Sequence, residues 1–142
     1  TFLNCSGLGF LNVPKNLPVN TTRLDLSSNN ITTLFNNDFS ELTNLRYLDL
    51  SINLISLIQS GSRLLSPLTK LEVLDISNNG LASLPNDIFS ELKNLQMIVL
   101  TNNKLIFIPD VTTSNTNSNF HISLYGNVLY CGCPSVKFLL WL

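Results

Sequence analysis

The phrase Leu-x-x-Leu-x-Leu-x-x-Asn-x-Leu returns along this chain with starts at Thr21, Leu45, Leu71, Leu95 and, in weakened form, Asn119, spaced by 24, 26, 24 and 24 residues. A fixed period of this length marks units that cannot bury an apolar side alone, so copies must stack to make one continuous core. Residue type fixes the phase. Leu24, Leu26, Asn29 and Ile31 recur as Leu48, Leu50, Asn53 and Ile55, then as Leu74, Ile76, Asn79 and Leu81. Ile98, Leu100, Asn103 and Leu105 form the fourth copy, and Ile122, Leu124, Asn127 and Leu129 the fifth.

The pattern predicts an α/β leucine-rich-repeat solenoid, right-handed, with short parallel strands on its concave face and a mostly irregular convex side. Alternation in Leu-x-Leu turns two side chains of each strand inward and those between them outward. The asparagine carries both a donor and an acceptor, so it can satisfy turn backbone that water does not reach. Asn29, Asn53, Asn79, Asn103 and Asn127 are therefore expected to form an internal structural ladder. On the return side Phe39 and Leu42 recur as Phe89 and Leu92, and as Leu65 and Leu68 once a two-residue expansion near Gln59-Ser60-Gly61-Ser62 is allowed. The fourth copy has Thr113 and Thr116 at those places, within the polar run 112–119, where an irregular mobile loop is expected.

One domain suits 142 residues, and 44% apolar content supplies its core. Only 12% of residues are charged, the net charge is -1 and no Lys/Arg cluster occurs, which argues against nucleic acid or an anionic membrane as partner. No apolar run approaches the roughly 18 residues of a membrane span. The chain opens without a signal peptide and reads as a mature or trimmed product. Cys5 precedes the first repeat, whereas Cys131 and Cys133 follow the last. Five layers at about 4.8 Å put Cys5 on the order of 25 Å from the other two, beyond the ~7 Å reach of a disulfide. Cys131 and Cys133 are separated by a single residue, which leaves a ring too tight for easy disulfide geometry.

Two ends of the chain carry a resemblance. Cys5-Ser6-Gly7-Leu8-Gly9-Phe10, with Val13-Pro14 and Leu17-Pro18, resembles the amino-terminal cap of extracellular leucine-rich-repeat proteins. Gly126-Asn127-Val128-Leu129-Tyr130-Cys131-Gly132-Cys133 and Phe138-Leu139-Leu140-Trp141-Leu142 resemble the start of their carboxy-terminal cap. The organisation expected is a truncated cap over 1–20, repeats over 21–129 and the start of a second cap over 130–142. The resemblance implies disulfide partners for Cys5, Cys131 and Cys133 outside this chain, and so a fragment cut inside both caps. Within the family, the Leu-Asp-Leu-Ser phrases at Leu24 and Leu48, and Leu-Asp-Ile-Ser at Leu74, are most similar to Toll-like receptor ectodomains. Variable lymphocyte receptors are the second likeness, with few repeats between two caps.

Three Asn-x-Ser/Thr sites, at Asn4, Asn20 and Asn30, fit an exported, glycosylated chain. Asn20, in the link from cap to repeats, is the best placed; sugar on Asn4 would crowd Cys5, and Asn30 neighbours the ladder.

Because the phase is known, the outward columns can be written down: Arg23, Tyr47, Val73, Met97 and His121; Asp25, Asp49, Asp75, Val99 and Ser123; Ser27, Ser51, Ser77, Thr101 and Tyr125. The aspartates read as a consensus ladder that shapes the sheet; a calcium site would need more oxygen ligands than the column shows. Tyr47, Val73, Met97, Val99, His121 and Tyr125 form the candidate ligand-binding surface, since outward apolar and aromatic residues call for a covering partner.

Catalysis finds little footing. A Ser-His-Asp arrangement would have to use His121, the one histidine, with Asp75 about 10 Å away by strand spacing. Zinc on Cys131, Cys133 and His121 lacks a fourth ligand. No metal and no cofactor is expected. The function expected is recognition of a protein or microbial ligand by an innate immune receptor ectodomain, extracellular, at the cell surface or in an endosome, or else secreted, with a receptor homodimer as a further contact. The alternatives are an adhesion or matrix protein that holds another protein, and an antigen receptor of the variable lymphocyte type.

Overall fold

The computed structural model describes residues 1–59, 63–109, 111 and 119–130. A six-stranded parallel sheet runs through it, built from β1 (Phe2–Asn4), β2 (Arg23–Asp25), β4 (Tyr47–Asp49), β6 (Val73–Asp75), β7 (Met97–Val99) and β8 (His121–Ser123), in that order. β3 (Thr33–Leu34) and β5 (Leu57–Ile58) pair separately on the flank. Register never slips: Leu3, Leu24, Leu48, Leu74, Ile98 and Ile122 are successive partners. The longer second repeat leaves this register intact, so its two extra residues are taken up outside the strands.

The strand is short because an inward pair is all each coil needs. Leu24 and Leu26, Leu48 and Leu50, and Leu74 and Ile76 lie in the core, essentially without exposure. Phe39, Leu42, Leu65, Leu68, Phe89 and Leu92 close it from the convex side. Fully burying one such side chain is worth about 1.5–3 kcal/mol, and each coil offers its apolar edge only to its neighbours, so no coil is stable alone.

One feature differs from expectation. The cap contributes a sixth strand, β1, where the sequence pattern marked five repeats. Phe2-Leu3-Asn4-Cys5-Ser6 lies over Arg23-Leu24-Asp25-Leu26-Ser27 residue for residue, with the cysteine in place of the inward leucine. The convex side is irregular, as expected: where described it is turns, and no α-helix occurs among the described residues. Convex segments such as Asn37-Asp38-Phe39-Ser40 need only a sharp return, which turns provide in fewer residues than a helix. Residues 60–62, most of the polar run 112–119, and Cys131, Cys133 and the closing 131–142 lie outside the described residues.

The asparagines join the coils. Asn53 Nδ2 donates to Leu26 O of the preceding coil at 2.9 Å and to Leu50 O of its own at 3.1 Å, while its Oδ1 accepts from Ile31 N–H at 3.1 Å. Asn79, Asn103 and Asn127 repeat the arrangement, accepting from Ile55, Leu81 and Leu105. Asn29 serves the cap, where its Oδ1 accepts from both Leu8 and Phe10 at 3.0 Å. Immediately before each asparagine the backbone turns left-handed, at Ser28, Ile52, Asn78, Asn102 and Gly126, and at Gly7 in the cap.

An ion pair between an exposed lysine and a buried carboxylate pins the cap to the first convex turn. The side chain of Asp38 is 2% exposed; it accepts from Lys15 Nζ at 2.8 Å and from Phe35 N–H at 2.8 Å. Neither residue belongs to the repeat template.

Candidate functional site on the concave face

Three outward columns run across the sheet, each extended by one residue of the cap. The first reads Phe2, Arg23, Tyr47, Val73, Met97 and His121; the second reads Asn4, Asp25, Asp49, Asp75, Val99 and Ser123. Tyr47, Val73 and Val99 are half-buried between neighbouring strands, whereas His121 is exposed. Met97 is 41% exposed and Tyr125, just past β8, is 84% exposed.

The second column is a row of caps. Asp25 Oδ1 accepts from Ser27 N–H at 2.9 Å and from Ser27 Oγ at 2.7 Å. Asp49 accepts from Ser51 N–H at 2.9 Å, and Asp75 from Ser77 N–H at 2.8 Å. Asn4 does the same for Ser6. A carboxylate that satisfies the backbone donor two residues on ends the strand and starts the turn. The Leu-Asp-Leu-Ser phrase thus has a local mechanical role. Among the described residues no group of three or more His, Cys, Asp or Glu side chains is arranged to hold a metal ion.

At the amino-terminal end, Arg23 stands between two rings. Its guanidinium carbon is 5.2 Å from the centre of Phe2 and 4.2 Å from that of Tyr47. Each such contact is worth about 0.5–1 kcal/mol at an exposed site. Burial pushes the Tyr47 phenol up, with Asp49 adding to the rise; Arg23 pulls it down, and Asp75 and Asp25 raise it further. Sequence reasoning placed Arg23 and Tyr47 in one column but missed Phe2. The available signal was the match of Phe2-Leu3-Asn4 to Arg23-Leu24-Asp25, masked by the cap's lack of a ladder asparagine.

The face therefore divides. Coils near the cap present Arg23 clamped by aromatics beside three carboxylates; coils toward the other end present Val73, Met97, Val99 and Tyr125. The surface is open, so recognition on it would work through contact area and not through enclosure. Cys5 lies beneath the face, 8% exposed, its thiol pushed up by burial first and by the Asp25 carboxylate second.

Comparison with known proteins agrees with this architecture. The leucine rich repeat family matches residues 13–55 and 69–129. The chain belongs to that family. Among curated relatives, biglycan of Xenopus laevis is 54% identical over 43 residues, 30% of this chain and 12% of its own length. Human decorin is 50% identical over 46 residues, 32% of this chain and 13% of its own. Tsukushi of Xenopus tropicalis is 36% identical over 99 residues, 51% of this chain and 28% of its own. The chain thus spans under a third of the length of these leucine-rich-repeat relatives. No helix among the described residues is long and apolar enough to cross a membrane.

Proposed function

We propose that this chain is part of an extracellular matrix or adhesion protein that holds another protein on its concave face and performs no chemistry on it. The observation that carries the reading is the outward patch of Val73, Met97, Val99 and Tyr125 across three columns, in which Met97 and Tyr125 keep 41% and 84% of their surface in solvent. Apolar groups of this size on a sheet face favour a covering partner. The relatives named above are small leucine-rich proteoglycans, which favours the matrix reading over an immune receptor.

The receptor reading rested on the Leu-Asp-Leu-Ser phrases. Those phrases are accounted for by the caps at Asp25, Asp49 and Asp75, which any repeat of this geometry can use. They therefore lend no weight to one subfamily over another.

The test is a binding panel of purified extracellular proteins, run with the wild-type chain, Met97→Asp and Tyr125→Asp. The proposal expects a protein ligand whose Kd rises at least about tenfold in both variants, a loss of ~1.4 kcal/mol, with Lys93→Glu unchanged. Unaltered affinity in both variants removes this surface. Sedimentation of the wild-type chain alone shows whether the covering protein is a second copy.

A further inference from the structure

Past the strands, the second coil departs from its neighbours. Asn30, Leu54, Gly80 and Lys104 occupy one column, because each donates its N–H back one coil: to Phe10 O at 2.9 Å, Ile31 O at 2.9 Å, Ile55 O at 2.8 Å and Leu81 O at 2.8 Å. Leu54 is 58% exposed in that column and Ile52, two residues earlier, is 57% exposed. Ile52 also holds φ at 52°, a left-handed conformation that its counterparts fill with Ser28, Asn78, Asn102 and Gly126. A β-branched residue there is strained, so the exposed apolar pair Ile52 and Leu54 is kept against a backbone cost.

In the next coil the matching position is Gly80, where even a Cβ would meet only Ile55 O at 3.6 Å and Ser56 Cβ at 3.8 Å, so nothing at that position covers Leu54. In the preceding coil the matching position is Asn30, exposed, its side-chain amide without a hydrogen-bond partner among the described residues, opening the acceptor sequence Asn30-Ile31-Thr32. We infer that an N-linked glycan on Asn30 lies along the flank and covers Leu54 and Ile52. Coils are about 4.8 Å apart, so the first N-acetylglucosamine, with its acetyl methyl and the C–H face of its ring, reaches the Leu54 side chain directly.

The other two acceptor sequences do not reach this flank. Asn4 stands in a concave column with its Oδ1 bonded to Ser6 N–H at 3.0 Å and Ser6 Oγ at 2.7 Å. Asn20 precedes its strand where Asn30 follows, which puts them at opposite ends of it. The chain's own sugar is the occupant favoured here, because it is tethered one coil from the patch and in its register. The inference rests on export, as the proposed function does.

The experiment is secretion from a eukaryotic host, glycopeptide mass spectrometry, and thermal unfolding before and after enzymatic removal of the sugar. Asn30 should be occupied. Complete removal should lower the unfolding midpoint by about 2–4 °C, whereas trimming to a single N-acetylglucosamine should preserve most of it. Thr32→Ala, which abolishes the acceptor and leaves Asn30 in place, should match complete removal. In Leu54→Ser the sugar should no longer shift the midpoint. Sugar on Asn4 or Asn20 with Asn30 empty overturns the inference and leaves export standing. An equal shift in wild type and Leu54→Ser, or no shift in wild type, also overturns it.

Discussion

Asn53 lies 27 residues from Leu26, yet its Nδ2 donates to the Leu26 carbonyl at 2.9 Å, and its Oδ1 accepts from Ile31 N–H, five residues on from Leu26 in the same coil. One side chain thereby satisfies backbone groups in two coils at once. The coils are consequently coupled through polar groups as well as through leucines, and a fault in one asparagine is felt on both sides of it.

Asn53→Ala should cost about 2–4 kcal/mol, because it leaves a buried N–H and at least one buried carbonyl without a partner. Asn53→Asp should recover little, since the second oxygen replaces a donor that faces Leu26 O and Leu50 O. Urea unfolding measures both. A loss below about 0.5 kcal/mol for Asn53→Ala would show that water takes over the ladder.

Ile52→Asn should stabilise the unglycosylated chain by about 1 kcal/mol, since asparagine adopts the left-handed conformation at lower cost and little packing is lost at an exposed site. Ile52→Val, which keeps the branch, should leave the thermal midpoint almost unchanged. Equal midpoints for all three proteins would mean that the turn carries no strain.

The repeat was legible because it depends on spacing. Leu24, Leu48 and Leu74 could be placed inward, and Tyr47 and Val73 outward, from period alone, and the strands follow that phase. What escaped depends on contacts between distant residues or on backbone shape. β1 was hidden because Cys5 replaces a leucine and Leu8 stands where the ladder wants asparagine. The Lys15–Asp38 pair joins residues 23 apart that share no motif. The left-handed row reads Ser28, Ile52, Asn78, Asn102 and Gly126, a mixture of types that the template leaves open, with Ile52 against the usual preference for such a turn. The concave aspartates could be read as a ladder that shapes the sheet but not as caps, since each accepts from a backbone N–H two residues on, a donor that sequence does not mark.

Stability should fall more steeply in alkali for the wild-type chain than for Tyr47→Phe. Burial, then Asp49, raises the Tyr47 phenol above its ordinary value, near 10. A raised acid favours the folded state while it stays protonated, so its contribution is complete below about pH 10 and is lost as pH climbs through the folded value. Urea unfolding at pH 9 and pH 11 tests the sign, with Tyr47→Phe removing the titrating group. Arg23→Gln, which deletes the one cation that lowers the phenol, should move its ultraviolet titration to still higher pH. Parallel losses in wild type and Tyr47→Phe would mean that Tyr47 ionises alike in both states.

Gly126→Ala and Gly7→Ala separate backbone conformation from space. Both glycines are left-handed, with φ of 75° and 65°, so each substitution carries a conformational cost of roughly 1 kcal/mol. A Cβ on Gly7 meets nothing within 4 Å, whereas one on Gly126 falls onto the Asn102 side-chain oxygen and crowds its backbone. Asn102 cannot simply swing away, because its N–H bonds to Tyr125 O at 2.8 Å and its side chain bonds to Asn78 at 3.0 Å. Gly126→Ala should therefore cost more than Gly7→Ala by about 1–2 kcal/mol in urea unfolding. Asn102→Ser, which retracts the obstructing oxygen, should restore most of that difference when combined with Gly126→Ala. Additive effects of the two substitutions would place the whole cost in the left-handed turn and none in the contact between neighbouring coils.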